Sequence, residues 1–395
     1  MRLILNIILF LGSLLCIYTA PTFRLWIASI AVSEFCWIFA AVTFLILIWS
    51  LFSKKYRQAN LTIGVLALAF YLTPIRTAVN IAEKLPTELA ANLGGEPIEA
   101  EPFELTKMFT STELLPYETF SYAKQGSEDL TMDFYQSTRA GRRPCIVVVH
   151  GGSWCGGNSQ QLPELNSELA RQGFHVASIN YRLAPKHVSP APIEDIKIAI
   201  EYLKDNARDL KIDSANFILL GRSAGAQLAL VAAYTLDTPG IRGVVNFYGP
   251  TDMIWGYSMP VNKYIMDSKK VLEDFLGGPY DKCPEKYVAS SPVEVVGKKS
   301  VPTLIIHGEN DALVAYEHSQ RLVKKLSDNR VRHYLLSLPW ATHGCDYTLR
   351  GPSGQLTTYA VEYFANQVIK AAQQPDIQIV SSETVEPGAF ESWGN

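Results

Sequence analysis

Short β-branched runs alternate with helix-length amphipathic stretches from about residue 119 to residue 372, and this alternation restricts the fold more than any other feature. The runs lie at 119–124, 130–136, 145–150, 175–180, 217–221, 243–248, 303–307 and 333–338. Helical periodicity occupies 160–172, 192–207, 224–235, 316–328 and 354–372, between most of the later runs. Strands that are almost continuously apolar are buried on both faces, and strands separated by helices join as parallel neighbours through crossovers. The expectation is an α/β fold, a mostly parallel sheet flanked by helices. Residues 373–395 lose the periodicity and read as a flexible tail.

The first eighty residues follow another rule. Residues 3–20 carry no charge, residues 25–52 are broken only by Ser29, Ser33, Glu34, Thr43 and Ser50, and a run at 61–72 continues weakly through Pro74 to Val79. A membrane span needs about 20 mostly apolar residues. The second run satisfies that, the first just reaches it and the third approaches it. Residues 1–80 therefore read as a membrane-anchoring region of about three transmembrane helices, followed by a polar connector at 81–114 and a domain at 115–372. Tyr18 and Leu15 occupy positions where export cleavage after Ala20 or before Cys16 wants a different residue, so the first run reads as a retained anchor.

Charge divides the chain the same way. Residues 1–80 hold six Lys or Arg and one acid, whereas the remainder holds 29 basic and 37 acidic residues. An acidic main body disfavours nucleic acid as a partner. Positive flanks stay in the cytoplasm; Arg2 and the cluster Lys54, Lys55 and Arg57 read as competing flanks, and the larger cluster decides. With it inside, a crossing third run places everything beyond residue 80 on the non-cytoplasmic side. Glu34 lies in an apolar run. It reads as a functional carboxylate or, preferably, as a protonated Glu hydrogen-bonded to a neighbouring helix, or one reaching the interface.

The chemistry concentrates at strand ends. Gly221-Arg222-Ser223-Ala224-Gly225 follows the run at 217–220 and opens a helical stretch, the setting of a nucleophile elbow. His150-Gly151-Gly152-Ser153-Trp154 ends the run at 145–149, and glycines there let backbone N–H groups approach an oxyanion. A serine nucleophile needs a base and the base needs an acid. Of seven histidines, His175 and His333 fall in strands, His187 and His318 read as surface residues, His307 shapes a turn and His150 belongs to the glycine turn. His343, in a loop after the last strand, is the base. Asp311, in the loop after the preceding strand, is the acid, with Glu309 and Asp252 in reserve. The order Ser223, Asp311, His343 is that of an α/β-hydrolase. No C-x-x-C or H-E-x-x-H pattern occurs, so neither metal nor cofactor is expected.

On these motifs the chain from about 115 to 372 resembles the hormone-sensitive-lipase-like branch of α/β-hydrolases, with its feruloyl-esterase-like and prenylcysteine-methylesterase-like members. The resemblance rests on LTMDFYQS, VVVHGGSWCGG, NYRLAPKHVSPAPIED, LLGRSAGAQLAL, FLGGPY with SSPVEVV, and HGENDALV. It implies an α/β-hydrolase fold, hydrolysis of carboxylic esters through an acyl-enzyme, and oxyanion donors at the N–H groups of Gly152, Ser153 and Ala224. Two positions depart from the family pattern: Ser153 stands where a third glycine is common, and Arg222 where His or Asp is frequent. The segment 252–300 interrupts the alternation with Trp255, Tyr257, Met259, Tyr264, Met266 and Phe275. It reads as a roof that lines an acyl pocket, or as an extra packing layer remote from ligand. The substrate is expected to be a small-molecule or lipid ester; an amidase or formamidase and a non-catalytic binding module are the alternatives. Cys155 and Cys345 flank the motifs, and sequence alone leaves their pairing open.

Overall fold

The computed structural model describes residues 1–53 and 55–373. Lys54 and most of the expected tail lie outside the described residues. Four helices come first, α1 (Arg2–Ser13), α2 (Phe23–Glu34), α3 (Cys36–Leu51) and α4 (Arg57–Leu93). There follow β1 (Glu118–Gln125), β2 (Glu128–Tyr135), β3 (Arg143–Val149), α5 (Pro163–Arg171), β4 (His175–Ile179), α6 (Ala191–Asp205), β5 (Ile212–Arg222), α7 (Ala224–Thr235) and β6 (Ile241–Phe247). The insertion folds as α8 (Met253–Ser258), α9 (Ser268–Leu276), α10 (Pro284–Ala289) and α11 (Pro292–Val295). The chain then continues as β7 (Thr303–Gly308), α12 (Glu317–Asp328), β8 (His333–Leu338) and α13 (Pro352–Gln373).

The eight strands form one sheet in the order β1-β2-β4-β3-β5-β6-β7-β8. β1 and β2 pair antiparallel, β2 pairs antiparallel with β4, and every later pairing is parallel. The expected α/β architecture is therefore present. Alternate residues of each strand serve opposite faces. Val147, Val149, Leu219 and Ile305 pack under α6, α7 and α12, while Ile146, Val148, Leu220 and Ile306 pack under α5, α13 and the end of α4. With helices on both faces, the parallel strand ends form one rim, and α/β proteins bind ligands at that carboxyl edge.

The N-terminal region differs from its sequence reading in three ways. Among the described residues one helix, α4, is long and apolar enough to cross a membrane; α2 and α3 meet the same test only as a pair bent by 82°. α1 with its final turn ends at Cys16, roughly 22 Å at 1.5 Å per residue, short of a hydrocarbon core of about 30 Å. Second, the connector expected from residue 81 is helical as far as Leu93. Leu85, Leu89 and Leu93 recur every four residues on one side of α4 and are buried against the core of the α/β domain. Tyr334 Oη donates to Glu88 Oε2 and Tyr363 Oη to the Gly94 carbonyl, both at 2.7 Å, which pins the helix there. Third, the two positive flanks do not compete. The Asn6 amide donates to Ser50 Oγ at 3.2 Å and Asn60 Oδ1 at 3.1 Å, and the Arg2 guanidinium lies over the Trp49 ring. Arg2 and Arg57 thus share one end of the α1–α3–α4 bundle, because α1 runs alongside α4 in the same direction and α3 packs on α4 in the opposite one.

α2 occupies the other end, against the α/β domain. Glu34 accepts from the backbone N–H and the hydroxyl of Ser353, at 3.1 and 2.6 Å. Its partner is a helix, as the preferred reading held, but that helix is α13, and the carboxylate occupies an N-terminal turn with unpaired N–H groups.

Candidate active site

β5 ends at Arg222 and α7 begins at Ala224, so Ser223 alone makes the turn. Its φ of 52° and ψ of −121° lie outside the regions an L-residue ordinarily adopts, at a cost of about 1–3 kcal/mol. The flanking glycines permit it. A Cβ on Gly221 meets the Gly225 carbonyl oxygen at 2.3 Å, and one on Gly225 meets the Val149 carbonyl oxygen at 2.2 Å. The two glycines of the motif are therefore set by backbone approach, and the Ser223 hydroxyl stands above the sheet edge at the start of α7.

His343 arrives from the loop after β8 and Asp311 from the loop after β7. His343 Nε2 lies 2.9 Å from Ser223 Oγ, and His343 Nδ1 lies 2.7 Å from Asp311 Oδ2. A carboxylate only accepts, so Nδ1 carries the proton and Nε2 accepts from the serine hydroxyl. Asp311 Oδ1 accepts the N–H groups of Leu313 and Val314 at 2.8 and 2.9 Å. Burial alone raises the Asp311 carboxyl, but the charge of His343 and hydrogen bonds from His307 and His343 overcome it and hold the group well below the usual carboxylate range. Of the two reserve acids, exposed Glu309 accepts from Ser337 Oγ at 2.5 Å. Asp252 caps α8 through the Trp255 N–H and pairs with Arg321 at 3.1 Å. Neither is brought to His343.

The glycine turn after β3 is braced from three sides. Gln161 Oε1 accepts the Gly151 N–H at 2.7 Å, Tyr181 Oη donates to the His150 carbonyl at 3.0 Å, and the Trp154 indole donates to Gln227 Oε1 at 2.9 Å. The Trp154 ring stacks on Phe275 at 4.4 Å. Ser153 and Trp154 line the same cleft as Ser223 and Ala224. Ala224 is the first residue of α7, so its N–H has no acceptor within the helix. The turn and the helix start thus lie against each other: a Cβ on Gly151 would meet Ser223 Cβ at 3.2 Å.

The cleft encloses about 600 Å³ of empty space, its mouth included, and the insertion supplies most of its wall: Met253, Trp255, Met259, Val261, Met266 and Leu272. The pocket-wall reading is met by Trp255, Met259 and Met266, whereas Tyr257 and Tyr264 do not line the cleft and Phe275 packs in the core, as the alternative of a packing layer had it. His318 also lines the cleft, and here the surface reading is corrected. The side chain is buried, and its Nδ1 accepts from the Thr251 and Asp252 N–H groups at 3.2 and 3.3 Å. Burial, with the neighbouring charges of His307 and Arg321, lowers its pKa to about 3. All six cysteines are free, Cys155 exposed and Cys345 buried.

Three features escaped the sequence reading. His307 shapes a turn as expected, but its Nε2 also lies 3.2 Å from Asp311 Oδ2 while Nδ1 lies 2.6 Å from Ser319 Oγ. Arg222 is buried beneath the serine, with its Nε on Asp346 Oδ2 at 2.5 Å, and Tyr248 Oη donates to the other oxygen of Asp346 at 2.5 Å. The Tyr248 ring lies 4.4 Å from that of His343. An arginine next to the serine and an aspartate three residues after His343 were the available signals. The third feature had none: Trp26 of α2 donates its indole N–H to the His343 carbonyl at 3.0 Å, across 317 residues of sequence.

The BD-FAE family matches residues 132–326, and esterase LipC of Mycobacterium tuberculosis is 31% identical over 248 residues, 58% of this chain and 60% of LipC. Over its α/β domain the chain is similar to the α/β-hydrolase carboxylesterases. It spans less than two thirds of LipC's length. The kynurenine formamidase of Meyerozyma guilliermondii is 29% identical over 211 residues, 50% of this chain and 76% of the formamidase. In three dimensions a hyperthermophilic esterase from the archaeon Pyrobaculum calidifontis superposes with a TM-score of 0.57 at 20% identity, covering 75% of this chain and 94% of that one. At that identity the likeness is one of fold.

Proposed function

We propose that the protein is a membrane-anchored serine hydrolase that cleaves carboxylic esters. The observation that carries the reading is the hydrogen-bonded line from Ser223 Oγ through His343 to Asp311. His343 takes the serine proton as Oγ attacks the ester carbonyl, and the N–H groups of Gly152, Ser153 and Ala224 receive the oxyanion. The protonated His343 donates to the leaving alcohol, then activates the water that releases the acid from the acyl-enzyme. Asp311 orients the imidazole and stabilises its cation. In the membrane, Arg2 and Arg57 mark the cytoplasmic end of the helical bundle and α4 crosses outward, leaving the α/β domain on the non-cytoplasmic side. The 37 residues of α4 measure about 55 Å, enough for a core of about 30 Å and the docked end beyond it.

Ser223→Ala in the full chain tests this. Ester turnover is expected to fall by at least about 10⁴-fold with fold and membrane association unchanged; retention of most turnover removes the serine assignment. The formamidase relative favours amide hydrolysis as the second reading, and matched ester and anilide substrates separate the two. A topology reporter fused after residue 100 tests orientation, with signal confined to the cytoplasmic reporter placing the domain inside.

A further inference from the structure

We infer that the active site opens at the lipid surface and that its substrate is an ester whose apolar chain resides in the bilayer; this rests on the ester-hydrolase reading above. α2 is the link. It joins the outer ends of α1 and α3, bends by 82° from α3, and docks on the active-site rim instead of continuing through a membrane. Two hydrogen bonds stitch its start to the pocket wall: the Phe23 N–H donates to the Tyr264 carbonyl at 3.1 Å, and the Asn262 side-chain amide donates to the Pro21 carbonyl, just before the helix, at 3.1 Å. A third contact reaches the site itself, from Trp26 to the His343 carbonyl.

The segment stitched to α2 is the one that supplies Met259, Val261 and Met266 to the cleft. Around this seam apolar side chains face outward: Phe23 is 50% exposed, Ile27 48%, Met259 62% and Tyr264 69%. Scattered exposed apolar residues are ordinary, but an apolar collar gathered at one hydrogen-bonded seam, beside helices of this composition, has its partner in lipid. Arg24 and Lys263 are exposed in the same collar, and Lys263 lies over the Tyr264 ring. Aromatic and basic side chains together mark the headgroup level of a bilayer. The cleft wall is thus apolar from its interior out to a rim at that level. An acyl chain passing along it stays in apolar surroundings and meets no aqueous step.

The test uses the full chain reconstituted in phosphatidylcholine vesicles, with p-nitrophenyl acetate as the aqueous ester and p-nitrophenyl palmitate dissolved in the same bilayer. Ile27→Asp and Tyr264→Asp, neither of which lines the cleft, are expected to lower palmitate turnover at least tenfold and acetate turnover less than twofold. Palmitate turnover that is unchanged, or that falls no further than acetate turnover, overturns the inference. A second measurement needs no variant: at fixed total palmitate, added plain lipid should lower the rate in proportion to the surface fraction of ester. A rate that follows total palmitate instead overturns it. Wild-type protein inactive on both esters sinks the ester-hydrolase reading itself, a result distinct from either of these.

Discussion

Asp311 stands between two Ser–His pairs. On one side are His343 and Ser223, and on the other His307 and Ser319, with hydrogen-bond lengths that are much alike. The two differ in everything around them. His307 Nε2 faces two acceptors, Asp311 Oδ2 and the Val314 carbonyl, so it carries the proton and Nδ1 accepts from Ser319. Ser319 lies in the first turn of α12, its own N–H is taken by the Tyr316 carbonyl, and its side chain is fully buried. Ser223 sits in a strained turn, lines an apolar cleft and adjoins the free N–H of a helix start. Adjacency of serine, histidine and aspartate therefore does not make a nucleophile. Access, a place for the oxyanion and the direction of the hydroxyl do, and the second pair serves to brace the carboxylate.

Below the loss set by Ser223→Ala, the sharpest probe of this contrast is Asp311→Asn, which disturbs both pairs. The amide favours the wrong His343 tautomer, so kcat should fall by about 10³–10⁴-fold with KM little changed. Asp252→Asn, by comparison, should act through stability or substrate fit; a larger kcat loss there transfers the acid role to Asp252. Trp26→Phe keeps a ring against His343 but removes the N–H that holds its carbonyl. A hydrogen bond of this kind is worth about 1 kcal/mol, so kcat should fall about fivefold, and steady-state kinetics of the reconstituted chain with an unchanged kcat would show that the loop needs no such tie.

The braced side of Asp311 is open to a pH experiment. His318 is buried, and its folded pKa of about 3 lies below an unfolded value of about 6.5. The folded state therefore binds fewer protons, so this stability is complete above about pH 6.5 and declines as pH falls toward 3. Thermal midpoints should drop over that window, and His318→Gln should flatten the slope; a parallel slope in the variant removes His318 as its source. Ser319→Ala should have the smallest effect, with turnover within twofold of wild type and a midpoint lowered by the loss of one buried hydrogen bond, about 1 kcal/mol. A tenfold turnover loss without unfolding would give the second pair a part in the chemistry.

Much of the α/β domain was legible because its signals are local. All eight expected strand positions hold strands, and the helix opened by Ala224 runs to Thr235 as its periodicity indicated. The elbow glycines, the glycine turn and the order Ser223, Asp311, His343 could be read because each depends on neighbours a few residues away. The insertion's aromatic and methionine content likewise pointed to the pocket it lines.

What the sequence determined by itself was which residues are able to do chemistry and which stretches must leave water, since both follow from side-chain type and spacing. Tertiary structure alone decided where those stretches end up. α2 is apolar enough to be counted with a span, yet Glu34 on Ser353 and Trp26 on His343 bind it to the rim of the active site. α4 passes from the helical bundle into the core of the α/β domain without any local signal at the change. Burial against lipid and burial against protein demand the same apolar side chains, and only the partner, which lies hundreds of residues away, tells them apart.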